Sequence, residues 1–260
     1  MGAALIDLNS GSGFVPGQAP APPSLNDLID AGLRRRAERE QRRTYLGGSR
    51  LGVECLRALQ FEFTGTPVDP GREFSAQILR VFERGHRFED MMAGWLRLAG
   101  LDLRTERADG RQFGFRTAGS RIAGHIDGVI VGMADGSPCP IATPALWECK
   151  ALNNKSWQDT RKKGVTISKP VYAGQIATYQ AYMELTDAPA IFTAINSDTM
   201  EILVEEVPFD PALAQRMTDR GVQVLEATDA NELLPRIALS RDHFGCRFCS
   251  WQDRCWRLPA

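Results

Sequence analysis

The hydrophobic period of this chain changes near residue 100, and that change constrains the fold most. Residues 75–99 carry apolar side chains three and four positions apart, which predicts a long helix. Residues 111–117 and 121–133 instead alternate apolar and polar side chains across a turn at 118–120, which predicts a β-hairpin. A helix followed by paired strands must pack in at least two layers to bury both apolar faces.

The remaining pattern repeats this alternation of helices and strands. We predict a helix from Ser24, a strand at 145–151, a basic helix or loop at 155–163, a helix at 170–185, strands at 190–196 and 200–207, and a helix at 210–226. This order predicts an α/β fold with a mixed central β-sheet flanked by helices. Residues 1–23 are rich in Gly, Pro and Ala and are predicted to be a disordered tail, which leaves 24–260 as a single domain.

Composition excludes several classes of protein. The chain has 260 residues, of which 43% are hydrophobic and 24% charged, as in a globular domain with its own core. No apolar run approaches the roughly 18 residues that a membrane span needs, and no secretory signal is visible. We therefore expect no membrane partner and a cytoplasmic location in a bacterial cell, where cysteines stay reduced and more often bind metals than form disulfides.

Basic residues are concentrated in two segments although the net charge is only −1. Residues 33–50 contain seven Arg against two Glu, a balance of +5. Residues 150–170 contain six Lys or Arg against one Asp, again +5. Two basic segments on a neutral body are typical of phosphate contacts, although solvated helix faces give the same pattern.

Two carboxylates and a lysine occur in segments that are otherwise predicted to be buried strands. Asp127 lies in the second hairpin strand, and Glu148 and Lys150 are two residues apart in the next strand. Residues i and i+2 share a strand face, so Glu148 and Lys150 project together while Cys149 points away. Neighbouring carboxylates bind Mg²⁺ or Mn²⁺, which favour oxygen ligands. The pattern predicts a metal site that activates water, with Lys150 stabilising charge on a phosphate.

A Gln-x-x-x-Tyr motif and a histidine accompany these residues. Gln175 and Tyr179 are four residues apart in a predicted helix and therefore share one face. His86 lies in the long predicted helix, three residues before Glu89. With these motifs in this order, residues 46–256 resemble the RecB-like branch of the PD-(D/E)XK nuclease superfamily. The resemblance is closest to its iron–sulfur members, which include the AddB nuclease domain, CRISPR-adaptation exonucleases and phage exonucleases.

This resemblance implies a restriction-endonuclease-like core and a role for each matching residue. The implied metal ligands are His86, Asp127, Glu148 and the backbone carbonyl of Cys149. The implied catalytic residues are Asp127, Glu148, Lys150, Gln175 and Tyr179. The pattern leaves two nearby residues open: Glu89 would support the metal or bind a second one, and His125 is expected to pack on the opposite face of its strand.

The resemblance further implies a Mg²⁺- or Mn²⁺-dependent deoxyribonuclease that degrades linear DNA from its ends. We expect a role in phage or bacterial recombination, replication or repair, with a helicase or recombination protein as a possible partner. The cations expected to line the path of the DNA are Lys155, Arg161, Lys162, Lys163 and Lys169. Two alternatives stay open: a catalytically silent protein that binds DNA ends, and a structure-selective endonuclease.

The cysteines near the C-terminus predict a second metal site. The run Cys246-x2-Cys249-x5-Cys255 groups three thiols, and both iron–sulfur clusters and structural zinc favour four ligands. Cys55 is the natural fourth ligand, so the site would join the two terminal segments. The resemblance implies a [4Fe–4S] cluster, with structural Zn²⁺ as the alternative. Cys139, in a proline-containing loop, is expected to be a free thiol.

Overall fold

Nine α-helices, one 3-10 helix (Gly48–Arg50) and eight strands are found in the described part of the chain, residues 22–40 and 42–259 of the computed structural model. The helices are α1 (Leu25–Arg39), α2 (Leu56–Phe63), α3 (Ala76–Leu98), α4 (Asn154–Lys163), α5 (Val165–Ser168), α6 (Pro170–Tyr182), α7 (Pro211–Asp229), α8 (Phe244–Arg247) and α9 (Gln252–Arg257). The strands are β1 (Leu46–Gly47), β2 (Leu101–Arg104), β3 (Gly114–Thr117), β4 (Ile122–His125), β5 (Gly128–Met133), β6 (Ala145–Leu152), β7 (Ala190–Asn196) and β8 (Ile202–Val207). Most of the predicted tail, residues 1–21, lies outside the described residues.

The strands form two mixed sheets. The larger has the order β2-β5-β6-β7-β8, in which only β6 and β7 run parallel. The smaller has the order β1-β4-β3, with β1 parallel to β4 and β3 antiparallel to it. The predicted α/β class with a mixed sheet flanked by helices is confirmed, although the strands divide between two sheets rather than one.

The prediction of one continuous strand over 121–133 is wrong. Strand β4 ends at His125, and β5 begins at Gly128 in the other sheet, so Asp127 lies in the break between them. Close packing requires glycine at 128, because a Cβ there would lie 2.9 Å from the carbonyl oxygen of Arg104. Alternation along the sequence continues through the break, which is why periodicity alone did not reveal it.

Strand β6 lies between two helices, and this explains why most of its residues are buried. Helix α3 begins after Ser75, whose side chain accepts a hydrogen bond from the backbone N–H of Ile78 at 3.3 Å. Its residue Met92 belongs to the apolar cluster that contains Trp147 on one face of β6. Helix α6 contributes Ile176 to the cluster on the other face. None of the described helices combines the length and apolar content needed to cross a bilayer.

Hydrogen bonds within the protein hold the C-terminal segment against the region around α2. The buried carboxylate of Asp69 accepts a 2.6 Å hydrogen bond from the backbone N–H of Asp253. The side chain of Gln60 donates to the carbonyl of Glu232 at 2.7 Å, and Trp251 donates from its indole nitrogen to the carbonyl of Thr66 at 2.9 Å. The two terminal segments are therefore joined by direct contacts around the predicted cysteine site.

Candidate active site

Strand β6 and helix α6 bring Glu148, Lys150 and Gln175 together. The side chain of Glu148 is completely buried, and its Oε1 accepts hydrogen bonds from Lys150 Nζ and, at 2.5 Å, from Gln175 Nε2. Its Oε2 is also buried and has no hydrogen-bond partner among the described residues. Glu148 and Lys150 share a strand face as predicted, and one carboxylate oxygen remains free to bind a ligand.

Asp127 joins this group through the pairing of β5 with β6. Gly128 pairs with Trp147 in the antiparallel register, so the preceding residue, Asp127, is placed beside Glu148. Oδ2 of Asp127 accepts a 2.8 Å hydrogen bond from the backbone N–H of Cys149 and lies 4.0 Å from Lys150 Nζ. The predicted acidic pair is thus assembled although Asp127 is not itself in a strand.

Burial of these carboxylates raises their pKa values. Burial raises the pKa of Glu148 to about 8, and the nearby charge of Asp127 contributes in the same direction. The pKa of Asp127 is also raised, again by burial. Glu89 of α3 has its pKa raised to about 7, first by burial and then by Asp127. Three carboxyl groups that are costly to ionise together form a site that favours a bound cation.

Lys150 is the one lysine among them and remains charged. Burial by itself lowers its pKa, but attraction to Glu148 and Asp127 outweighs this and raises the pKa above its ordinary value. Its Nζ also donates to the carbonyl oxygen of Cys149 at 3.1 Å and lies 5.4 Å from the ring centroid of Tyr172. The lysine is a fixed positive charge beside the carboxylates.

Helix α6 presents Tyr179 to the same region. Tyr179 is buried, with its ring packed edge-on against Phe115 at 5.8 Å between centroids. Gly124 allows this approach, because a Cβ there would lie 2.6 Å from the ring of Tyr179. Burial raises the pKa of the phenol above its ordinary range. Tyr179 is therefore a neutral hydrogen-bonding group in the site.

Four of these residues, Asp127, Lys150, Gln175 and Tyr179, line a cavity of about 1060 Å³ that opens to solvent, while Glu148 is buried directly behind them. Helix α3 contributes His86 and Glu89 to its lining, which also includes Asp127 and Lys150. Three arginines, Arg43, Arg50 and Arg97, line it as well. The cavity thus combines carboxylates with arginines, a composition that suits a cation and a phosphate bound side by side.

The donor set fits a divalent cation only in part. Glu148 supplies a buried, unpartnered oxygen next to the Asp127 carboxylate, which is chemistry that Mg²⁺ and Mn²⁺ favour. Across the described residues, however, no group of three His, Cys, Asp or Glu side chains is already arranged to hold a metal ion. His86 lines the cavity, and its role as a ligand stays a prediction.

The structure adds residues that sequence patterns did not identify. His125 lines the cavity and is exposed, so the expectation that it packs on the opposite strand face is wrong. Tyr172, beside Lys150, and Arg97 also belong to the site, whereas Arg43 and Arg50 come from the basic segment 33–50 that the sequence indicated. In the sequence, Tyr172 precedes Gln175 by three residues on one predicted helix, and this shared face could have indicated that Tyr172 belongs to the site.

The five predicted DNA-binding cations do not line this cavity. Four lie in or next to α4, and the fifth, Lys169, directly precedes α6. Lys163 and Lys169 lie 2.6 and 3.8 Å from the carboxylate of Asp159, and Arg161 packs over the ring of Trp157. Their contact with DNA stays a prediction.

The four predicted cysteine ligands lie around one small cavity between α2 and the C-terminal segment: Cys55, Cys246, Cys249 and Cys255. All are free thiols. Burial raises the pKa values of Cys246 and Cys249, and the nearby Cys55 and Cys255 contribute in the same direction. The fold brings the four together, although none of the described residues form a ready metal cluster.

Comparison with known proteins shows the fold. No protein-family model matches the sequence, and no curated protein matches it. An alkaline exonuclease from Laribacter hongkongensis matches with a TM-score of 0.50 and 18% identity, over 73% of this chain and 90% of that chain. The structure of that exonuclease in complex with dAMP matches with a TM-score of 0.51 at the same identity and coverage. The chain therefore has an exonuclease-like α/β fold.

Proposed function

We propose that this protein is a divalent-metal-dependent deoxyribonuclease of the PD-(D/E)XK type that hydrolyses linear DNA from its ends. The observation that carries the proposal is the buried carboxylate of Glu148, with one free oxygen, beside Asp127 and Lys150. A buried carboxylate oxygen without a hydrogen-bond partner is costly unless a ligand compensates it. The fold shared with an alkaline exonuclease supports the same reaction class.

The residues grouped around Glu148 have distinct roles in the proposed reaction. Asp127, Glu148 and the carbonyl of Cys149 would hold a divalent cation, which when bound lowers the pKa of water and neutralises phosphate charge. Lys150 places its ammonium beside the same carboxylates, where it stabilises negative charge that develops on the phosphate. Gln175 fixes the orientation of Glu148 by its hydrogen bond to Oε1.

The cysteine cavity belongs to the proposal as a second, structural metal site. Four free thiols around one cavity match the ligand number of a [4Fe–4S] cluster or of structural zinc. Cys55 would link α2 to the C-terminal segment, which direct hydrogen bonds already hold nearby. A role in phage or bacterial DNA recombination, and a helicase partner, stay predictions from the sequence resemblance.

The direct test compares end-labelled linear duplex, linear single-stranded DNA and closed circular DNA, incubated with anaerobically purified protein in Mn²⁺ or Mg²⁺. The parent is assayed beside Glu148→Ala and a matched control, Glu206→Ala, which changes an exposed glutamate of β8. Loss of both linear substrates by the parent and the control, but not by Glu148→Ala, supports an exonuclease. Cleavage of the circle indicates an endonuclease, and binding without cleavage indicates an end-binding protein.

A further inference from the structure

Helix α1 and the first half of α3 expose several large apolar side chains. Among the residues described for α1 none is buried, and the helix is fixed to α3 by the exposed ion pairs Asp30–Arg80 and Arg36–Glu83. The exposed side chains, which we call the apolar patch, are Leu25, Leu28, Ile29, Phe74, Ile78 and Phe82. Exposed apolar side chains grouped on two packed helices and the residue pair Phe74–Phe82 are typical of a binding site.

Two phenylalanines connect the apolar patch to the candidate active site. The rings of Phe74 and Phe82 meet edge to face, 5.0 Å between centroids and at 86°. They are 60% and 45% exposed, so both rings remain accessible to a ligand. Phe82 lines the cavity together with His86, four residues further along the same helix face. The aromatic pair therefore stands at the rim of the cavity.

Exposed arginines lie on the same helix as part of the apolar patch, and further arginines line the cavity. Helix α1 exposes four of them, Arg34, Arg35, Arg36 and Arg39, and the exposed Arg42 and Arg43 follow directly. Of these, Arg43 lines the cavity, as do Arg50 and Arg97. Exposed aromatic rings beside a basic track are the combination that binds single-stranded nucleic acid, because bases stack on rings while cations contact phosphates.

We propose that the Phe74–Phe82 pair stacks on an unpaired base of a DNA strand that enters the cavity, while the flanking arginines bind its phosphates. This inference rests on the proposed function and specifies its substrate as a single strand, either free or frayed from a duplex end. A base inside a duplex has both faces covered by its neighbours and offers none to the rings. An apolar protein partner would cover the patch but offer no anionic group to the exposed Arg34, Arg35 and Arg39.

The experiment measures binding of an oligonucleotide that carries 2-aminopurine near its end, with divalent cations omitted so that no cleavage occurs. Stacking on an aromatic ring quenches the fluorescence of this base. The variants are Phe82→Leu, which removes the ring, and Phe82→Tyr, which keeps it. The matched control is Phe244→Leu, from an exposed aromatic pair with Phe248 that does not line the cavity.

We expect quenching by the parent, by Phe82→Tyr and by Phe244→Leu, and little by Phe82→Leu. Loss of one stacked base corresponds to roughly 5- to 150-fold weaker binding of single-stranded DNA, with little change for blunt duplex. Unchanged thermal unfolding would exclude a folding defect in Phe82→Leu.

Equal quenching by the parent and Phe82→Leu overturns the inference, as does a weakening that is the same for single-stranded and duplex DNA. If Phe82→Leu instead abolishes self-association in sedimentation while binding DNA like the parent, the patch is an interface between copies and the inference is wrong. Metal-dependent cleavage that requires Glu148 would survive either result, so the two proposals fail separately.

Discussion

The backbone N–H of Cys149 donates a 2.8 Å hydrogen bond to Oδ2 of Asp127, which fixes a carboxylate from the break between two sheets onto the central strand. Asp127 therefore lies beside Glu148, the residue before Cys149, and its Oδ2 is 4.0 Å from Lys150 Nζ. The carbonyl oxygen of Cys149 accepts a separate hydrogen bond from Lys150 Nζ. Together with the register of β5 and β6, this backbone contact holds Asp127 in the acidic group.

Replacing Lys150 by Ala should remove catalysis and preserve DNA binding. The side chain is the one lysine that contacts both carboxylates, and loss of a group that stabilises charge in the transition state costs about 100- to 1000-fold in rate. Cleavage kinetics in Mn²⁺ and filter binding of single-stranded DNA provide the two measurements. A variant that cuts at the parental rate would remove Lys150 from the mechanism.

Replacing Gln175 by Ala should lower activity less severely. Its Nε2 donates to Oε1 of Glu148 at 2.5 Å, so the variant loses orientation of the metal ligand but keeps the ligand itself. Residues that orient ligands typically contribute about 10- to 100-fold in activity or metal affinity. The concentration of Mn²⁺ required for half-maximal activity should rise in the same variant.

Gln215→Ala is the matched control for this measurement, since Gln215 is an exposed helical glutamine of α7 whose side chain donates a hydrogen bond to Asp219. If both glutamine variants behave alike, the effect does not come from Glu148.

Stability of the metal-free protein should depend on pH through Glu148. Burial raises the pKa of this carboxyl from its ordinary value of 4.5 to about 8 in the folded protein. Between these two pH values the folded state holds a proton that the unfolded chain has released, so the free energy of unfolding falls as pH rises through the window. Glu148→Gln cannot titrate there, and its stability relative to the parent should therefore increase with pH.

Thermal unfolding at pH 5 and pH 8, with and without Mn²⁺, measures this effect. Added Mn²⁺ should stabilise the parent most at the higher pH, since the ligands must be deprotonated to bind it. It should stabilise Glu148→Gln little at either pH. Stabilisation of the parent that is equal at both pH values would show that Glu148 does not bind the cation.

Replacing Cys249 by Ser should release metal and lower the melting temperature. Cys249 lines the cavity with the three other predicted ligands, and the binding energy of a structural metal becomes folding energy. Metal analysis, the visible absorption spectrum and thermal unfolding of anaerobically purified protein measure the change. Cys139→Ser is the control, because Cys139 does not line that cavity. Equal melting temperatures for the two variants would exclude a structural site.

Local patterns predicted much of the site because each depends on a single element. Glu148 and Lys150 share a face of β6 because strand side chains alternate, and Gln175 and Tyr179 share a face of α6 because helical residues four apart are neighbours. The expectation for His125 failed because it assumed a regular strand through the sheet switch. The basic residues of α4 were predicted to contact DNA from their charge alone, and charge does not indicate how far a residue lies from the active site.

The sequence by itself determined the element types, the α/β class and the residues that carry polar groups into apolar segments, since these follow from periodicity and residue chemistry. Only the tertiary structure decided that Asp127 lies beside Glu148 and that α3 brings His86, Glu89 and Phe82 to the same cavity. It also decided the raised pKa values of the carboxyl groups, because burial between α3 and α6 arises from packing of distant segments. Contacts between distant segments depend on sheet register and helix packing, which no local pattern specifies.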